Sequence, residues 1–120
     1  MIPESIKIDN VEYVRKDSIV GATFLDGKPY VIARTFSAGV FAGYLENRTG
    51  QEVVLRNARR IWYWDGASSL SQLAMEGTAK PNSCKFPIAV DRVELLQTIE
   101  IINCTEKSRK SIESVAIWKQ

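Results

Sequence analysis

The chain is 120 residues long, 45% apolar and 25% charged, the balance of a single soluble globular domain. A net charge of +2 is weak for a protein that coats nucleic acid, and no apolar run approaches the roughly 18 residues of a membrane span. Histidine is absent, which removes the commonest general base and metal ligand. The start Met1-Ile2-Pro3-Glu4 lacks a basic-then-apolar signal pattern, so a cytosolic protein is expected.

Ile6 to Val14 reads as two short strands around the turn pair Asp9-Asn10. A strand-poor stretch with Gly21 and the turn signal Asp26-Gly27 follows. Tyr30 to Phe36 reads strongly as strand, with Tyr30, Ile32, Arg34 and Phe36 on one face and Val31, Ala33 and Thr35 on the other. Ser37-Ala38-Gly39 ends it. Val40 to Leu45 resumes as strand, Glu46 to Gly50 closes a hairpin, and Glu52 to Leu55 returns. Arg59 to Trp64 is expected to form a further strand. The meander favours an antiparallel sheet.

Ser68 to Gly77 reads as a short helix, capped by Ser68 or Ser69 and stopped at Gly77. Leu70, Leu73 and Ala74 form its apolar stripe. Thr78 to Lys85 is a loop. Phe86 to Val90 and Val93 to Ile102 are strand-like. Thr105 to Ser114 is a second helix, with Thr105 as its N-cap and Ile112 and Val115 as docking residues. The fold class is α+β: an antiparallel, sheet-rich single domain with two short helices. Cys84 and Cys104 are expected to be free thiols.

Three groupings suit an anionic ligand, each beside a structural reading. Thr35-Phe36-Ser37-Ala38-Gly39 offers small residues and hydroxyls to a phosphate, or is a tight turn whose glycine supplies the φ angle. Arg59-Arg60 before Trp62-Tyr63-Trp64 suits phosphate and base, or is a pair of arginines over core aromatics, the reading favoured for the tryptophans. Arg34, on an otherwise apolar face, needs an anionic partner, either a carboxylate or a ligand. Thr105, Lys107 and Arg109 mark a helix start suited to an anion, or a solvated helix face. Phe86 is a base-stacking ring or a core residue. The carboxylates form no metal-ligand or acid–base spacing, and no Ser-Lys dyad is present. No catalytic residue, metal site or cofactor is expected.

The run from Tyr30 to Val90 and the segment Cys104 to Trp118, with the blocks "RTFSAGV", "NARRIWYW", "LSQLAMEG" and "CKFP", resemble a family of small phage proteins, the Thoeris anti-defence family of the first-described type. The resemblance implies a non-enzymatic sponge that holds glycocyclic ADP-ribose immune signals in the cytoplasm of the infected bacterium. It also implies cyclic trinucleotides at a separate site in some members, and assembly as dimers or as hexamers built from three dimers. Carried over by matching positions, Phe86 would stack adenine and Arg109 would lie near phosphates. Arg34 and the turn Thr35, Ser37, Ala38 and Gly39 would belong to the ligand region. The alternative is a small basic nucleic-acid-binding phage protein.

Overall fold

A computed structural model describes residues 24–119; the strands expected at Ile6 to Val14 lie outside the described residues. The ordered elements are β1 (Phe24–Leu25), β2 (Lys28–Thr35), β3 (Val40–Thr49), β4 (Glu52–Arg60), α1 (Leu70–Glu76), β5 (Val90–Leu95), β6 (Thr98–Asn103) and α2 (Glu106–Ser114). A 3-10 turn spans Pro81–Ser83. The strands form one antiparallel sheet in the order β1-β2-β3-β4-β5, with β6 on β2. The expected α+β class is therefore correct. None of the described helices is long and apolar enough to cross a membrane.

Only Leu96 and Gln97 separate β5 from β6, yet β5 pairs with β4 and β6 with β2. These partners lie on either side of β3, so the sheet must roll until its margins meet. Period-two patterning then buries both faces of the central strands. Val31, Ala33, Phe41, Val53 and Leu55 fill the side without helices. Tyr30, Ile32, Ala42 and Tyr44 face the other side, where Leu73 of α1, Ile112 of α2 and Phe86 cover them. The expected division of β2 into Tyr30/Ile32 and Val31/Ala33 faces is what the two clusters show.

One irregularity in β4 shapes everything near it. Asn57 has φ +50°, and the β3–β4 register shifts between Ala42 and Tyr44, the mark of a β-bulge. The extra residue puts Ala58 on the same side as Val53 and Leu55. Strict alternation would have put Arg59 there; the bulge turns Arg59 towards the helices instead. Gly43 crosses β4 at this point: a Cβ built on it would lie 3.0 Å from the Ala58 Cα and from the Arg56 carbonyl oxygen.

The two helices are locked end to side. Ser69 caps α1 by accepting from the Gln72 N–H. Thr105 caps α2 by accepting from the Ser108 N–H at 3.1 Å, and its hydroxyl also donates to the Met75 carbonyl at 2.7 Å. Ser108 is fully buried and donates to the Leu73 carbonyl at 2.6 Å. The start of α2 thus supplies donors to the carbonyls of Leu73, Ala74 and Met75 near the end of α1, the first of which also accepts from the Gly77 N–H.

Four expected elements differ. Phe86 to Val90 is not a strand, since Phe86 makes one isolated bridge to Ile117 and β5 begins only at Val90, and the strand-like run Val93 to Ile102 is broken at Leu96-Gln97 into β5 and β6. The hairpin loop read at Glu46 to Gly50 is strand through Thr49, and the turn shrinks to Gly50-Gln51. Pairing with Val53 and Val54 overrides the poor strand propensity of those polar residues. The strand expected over Arg59 to Trp64 does not form: β4 ends at Arg60, and beyond it Tyr63 makes one isolated bridge to Lys85.

The close crossing at Gly43 is testable. Gly43→Ala forces a methyl into the β4 backbone and is expected to lower stability by about 1–3 kcal/mol, read as a shift in the urea unfolding midpoint. An unchanged midpoint would mean that β4 is free to move away.

Candidate functional site

The bulge delivers Arg59 to a junction of three segments. Its Nε donates to the Pro87 carbonyl at 3.0 Å, one terminal nitrogen to the Ile112 carbonyl at 2.8 Å and the other to the Phe86 carbonyl at 3.0 Å. The guanidinium carbon sits 5.5 Å from the centre of the Phe86 ring. Arg59 is 6% exposed, and burial draws its pKa down. Backbone dipoles carry the charge, including a carbonyl near the end of α2, the negative pole of the helix.

Above this junction lies a groove of about 350 Å³. Tyr30 and Arg59 form its floor, Asn57 of the bulge one end, and Ile88, Glu113 and Ile117 its walls. A second hollow, about 250 Å³, shares Asn57 and extends past Tyr44 and Arg56 towards Lys28. Arg109 stands behind Glu113. It donates to Glu113 at 2.6 Å, and to Glu106 at 2.6 and 3.1 Å. Its pKa is raised, chiefly by the hydrogen bond to Glu106. Burial, and after it the charge of Glu113, raises the pKa of Tyr44, with Arg109 opposing them. Tyr30 meets Tyr44 edge to face at 5.0 Å between ring centres, and burial is the main cause of its own raised pKa.

The sequence-derived site residues fall into three places. Phe86 and Arg109 do not line the groove: Phe86 lies beneath Arg59 and Arg109 is paired to Glu113, and those two partners do line it. Phe86 is fully buried in the core, so its ring presents no open face to a base in this arrangement. Thr105 and Lys107 lie at the α2 start. The Thr105 hydroxyl is engaged both as donor and as acceptor, and Lys107 is exposed.

Arg34 and the 35–39 turn lie at the far end of the β2–β3 hairpin from Tyr30 and Tyr44, about 15 Å away by strand rise. Arg34 has found the carboxylate that its position requires, Glu100, at 2.9 Å. The turn closes on itself. Thr35 Oγ1 donates to the Gly39 carbonyl at 2.8 Å and accepts from the Ala38 N–H at 2.9 Å. Arg60 donates to the Ala38 carbonyl, Gly39 takes φ +99°, and Ser37 reaches Gln97 at 3.4 Å. The structural reading of the turn accounts for these bonds.

The aromatic run is the main correction. Trp62 and Tyr63 were expected mainly in the core, yet they are 58% and 48% exposed. Trp62 stacks on Trp118 at 5.0 Å, and the Lys85 Nζ lies 5.5–5.8 Å from the rings of Trp62, Tyr63 and Trp118. Because β4 ends at Arg60, the run leaves the sheet and lies against the C-terminal segment. Asn57 and Glu113, both in the groove, were missed. Asn57 is the one mark of a bulge in the Asn-Ala-Arg-Arg run, a residue type that tolerates positive φ and is rare inside strands, and Glu113 gains meaning only through Arg109 beside it.

Both cysteines are free and buried. Burial pushes the Cys104 thiol up to about 11 from an ordinary 9.0. Since the folded pKa lies above the unfolded one, its stabilising contribution is complete below about pH 9 and lost as pH rises towards 11. Urea unfolding is expected to show a loss of about 2–3 kcal/mol across that window from this group, and Cys104→Ala is expected to flatten that part of the profile. Two core substitutions complete the test. Phe86→Ala is expected to cost about 3–5 kcal/mol. Arg59→Met, which leaves the Pro87 carbonyl without a partner among the described residues and takes one of two donors from the Phe86 and Ile112 carbonyls, is expected to cost about 1–3 kcal/mol. A Phe86→Ala variant of unchanged stability would instead mark the ring as dispensable to the core.

Residues 28–112, from the start of β2 into α2, match the model of a family described as a domain of unknown function, DUF6948. Neither the curated proteins nor the solved structures yield a match to the chain. The matched span holds β2 to β6, α1, the Asn57 bulge and most of α2, and the chain belongs to the DUF6948 family.

Proposed function

We propose that this protein binds a glycocyclic ADP-ribose isomer reversibly and withholds it from a Thoeris effector without degrading it. The observation that carries the reading is the groove over Tyr30 and Arg59, within the usual size range of small-molecule sites. The sequence resemblance supplies the identity of the ligand. In this reading the ligand's pyrophosphate takes a place on Arg109 that Glu106 or Glu113 now fills. Asn57 addresses a polar edge of the ligand, and Ile88 and Ile117 cover its apolar surface. Arginine suits the phosphates because its fork matches their oxygens. Sequestration needs no general base, in keeping with a chain that has no histidine.

A sponge must outcompete an effector, which calls for nanomolar affinity, about −12 kcal/mol. An open groove of this size buries only part of such a ligand. The proposal therefore includes a second copy closing over it, in dimers or in hexamers of three dimers, in the cytoplasm of the infected host. Cyclic trinucleotides at a separate site are a further part of it.

A second reading, a module for single-stranded nucleic acid, draws on the exposed Trp62–Trp118 stack beside Lys85. It would show itself as oligonucleotide binding with a steep salt dependence.

The deciding experiment incubates the protein with the cyclic ADP-ribose isomer, removes free ligand, denatures the protein and identifies what is released. Intact ligand is the expected result. A changed product would mean an enzyme, and no uptake at micromolar protein would end the proposal. Arg109→Ala, and Ile88→Asp at a position 64% exposed, are each expected to weaken binding at least about tenfold, or 1.4 kcal/mol, with little change in melting temperature.

A further inference from the structure

A cavity of about 560 Å³, larger than the groove, lies between the β3–β4 turn and β6. Its lining includes Arg48, Gln51 and four consecutive residues, Thr98 to Ile101. Side chains alternate between the faces of a strand. A cavity that touches four residues in a row therefore runs along the strand's edge and not over one face.

That edge is open. Among the described residues β6 pairs with β2 alone. The Cys104 N–H donates to the Tyr30 carbonyl at 2.9 Å. With Val31 opposite Asn103 and Ile32 opposite Ile102, this bond sets the alternation. Ile102 and Glu100 turn their main-chain groups towards β2, and Ile101 and Asn103 turn theirs away. One outward bond already exists, from the Thr98 N–H to the Gln51 carbonyl at 3.0 Å.

Among the described residues, two side chains of the lining have unused hydrogen-bonding capacity. Thr98 is 6% exposed, and its Oγ1 is buried with no hydrogen bond, a costly state for a hydroxyl. Arg48 donates through Nε to the Gly50 carbonyl at 3.1 Å, and its terminal nitrogens have no acceptor among the described residues. Glu100 is already neutralised by Arg34, so the cavity keeps the charge of Arg48.

We propose that this slot takes an extended peptide segment of a partner protein as an added strand. Its main chain bonds to Ile101 and Asn103, and an acidic group sits on Arg48. Main-chain pairing supplies affinity that tolerates many sequences, and the guanidinium selects for a carboxylate. Ile99, exposed at the same edge, offers apolar contact. The slot is separate from the groove over Arg59 and does not depend on the ligand proposed there.

The test titrates the isotope-labelled full chain with an acetylated peptide of alternating threonine and valine ending in aspartate. A matched peptide with asparagine and a C-terminal amide is the control. The amide signals of Ile101 and Asn103 are expected to shift and gain protection from exchange, with the acidic peptide binding at least about tenfold more tightly. Arg48→Gln is expected to abolish that preference. Ile101→Pro removes an outward N–H that the β2 ladder does not use, and is expected to abolish binding while the protein stays folded. If that variant does not fold, the Arg48→Gln comparison decides alone.

No shift at millimolar peptide, or equal affinity for the two peptides, would overturn the proposal. So would an Ile101 amide already protected in the free protein, which would mean that the edge is occupied, by a second copy if sedimentation shows a dimer.

Discussion

The arrangement depends on one buried cation. Arg59 holds the Phe86–Pro87 segment and the end of α2 against β4 through three hydrogen bonds of 2.8–3.0 Å to backbone carbonyls. A buried charge without compensation would be strongly destabilising. Here three dipoles and a ring face provide it, and in return the Pro87 carbonyl gains a partner, while the Phe86 and Ile112 carbonyls, which also accept from the Trp118 and Val115 N–H groups, gain a second one. Arginine is the side chain that can do this, because its planar fork presents donors in several directions from one fixed plane. The bulge at Asn57 is what makes the contact possible, since regular alternation would aim the same side chain into the apolar side of the roll.

The groove is a consequence of that junction. Arg59 fixes its floor, α2 supplies Glu113 as a wall, and the tethered segment supplies Ile88. Arg109 is held at the edge by two carboxylates at 2.6 Å, so its position is set before any ligand arrives. Such preorganisation lowers the ordering cost of binding. A ligand phosphate would nevertheless have to replace a carboxylate, which makes the exchange selective for strong bidentate acceptors. The proposed signal, an anionic and partly aromatic molecule, has that chemistry.

Much of the fold was legible in the sequence because local rules govern it. The strand at Tyr30 to Phe36, the helices and their caps at Ser69 and Thr105, and the opposed faces of β2 follow from propensity, capping chemistry and period two. The site was less legible. Neither Phe86 nor Arg109 lines the groove, each reaching it only through a lining residue, Arg59 or Glu113, and Arg34 and the Ser37-Ala38-Gly39 turn lie at the other end of the hairpin, engaged with Glu100, Thr35 and Arg60. The tryptophan run defied its composition. It was read as core; Trp62 and Tyr63 are exposed because β4 stops before them, while Trp64 does pack against the core.

The sequence by itself determined that this is an antiparallel α+β domain with two capped helices, because turn residues, caps and apolar periodicity act over a few neighbouring positions. The tertiary structure alone decided which arginine is buried. Arg59 and Arg60 are adjacent and chemically identical, yet one clamps three backbone carbonyls and the other lies exposed over the Phe41 ring, 4.3 Å from its centre. That choice rests on a single extra residue in β4, opposite Gly43. A bulge is set by the meeting of two strands, and no short stretch of either strand, Asn57 included, fixes it alone.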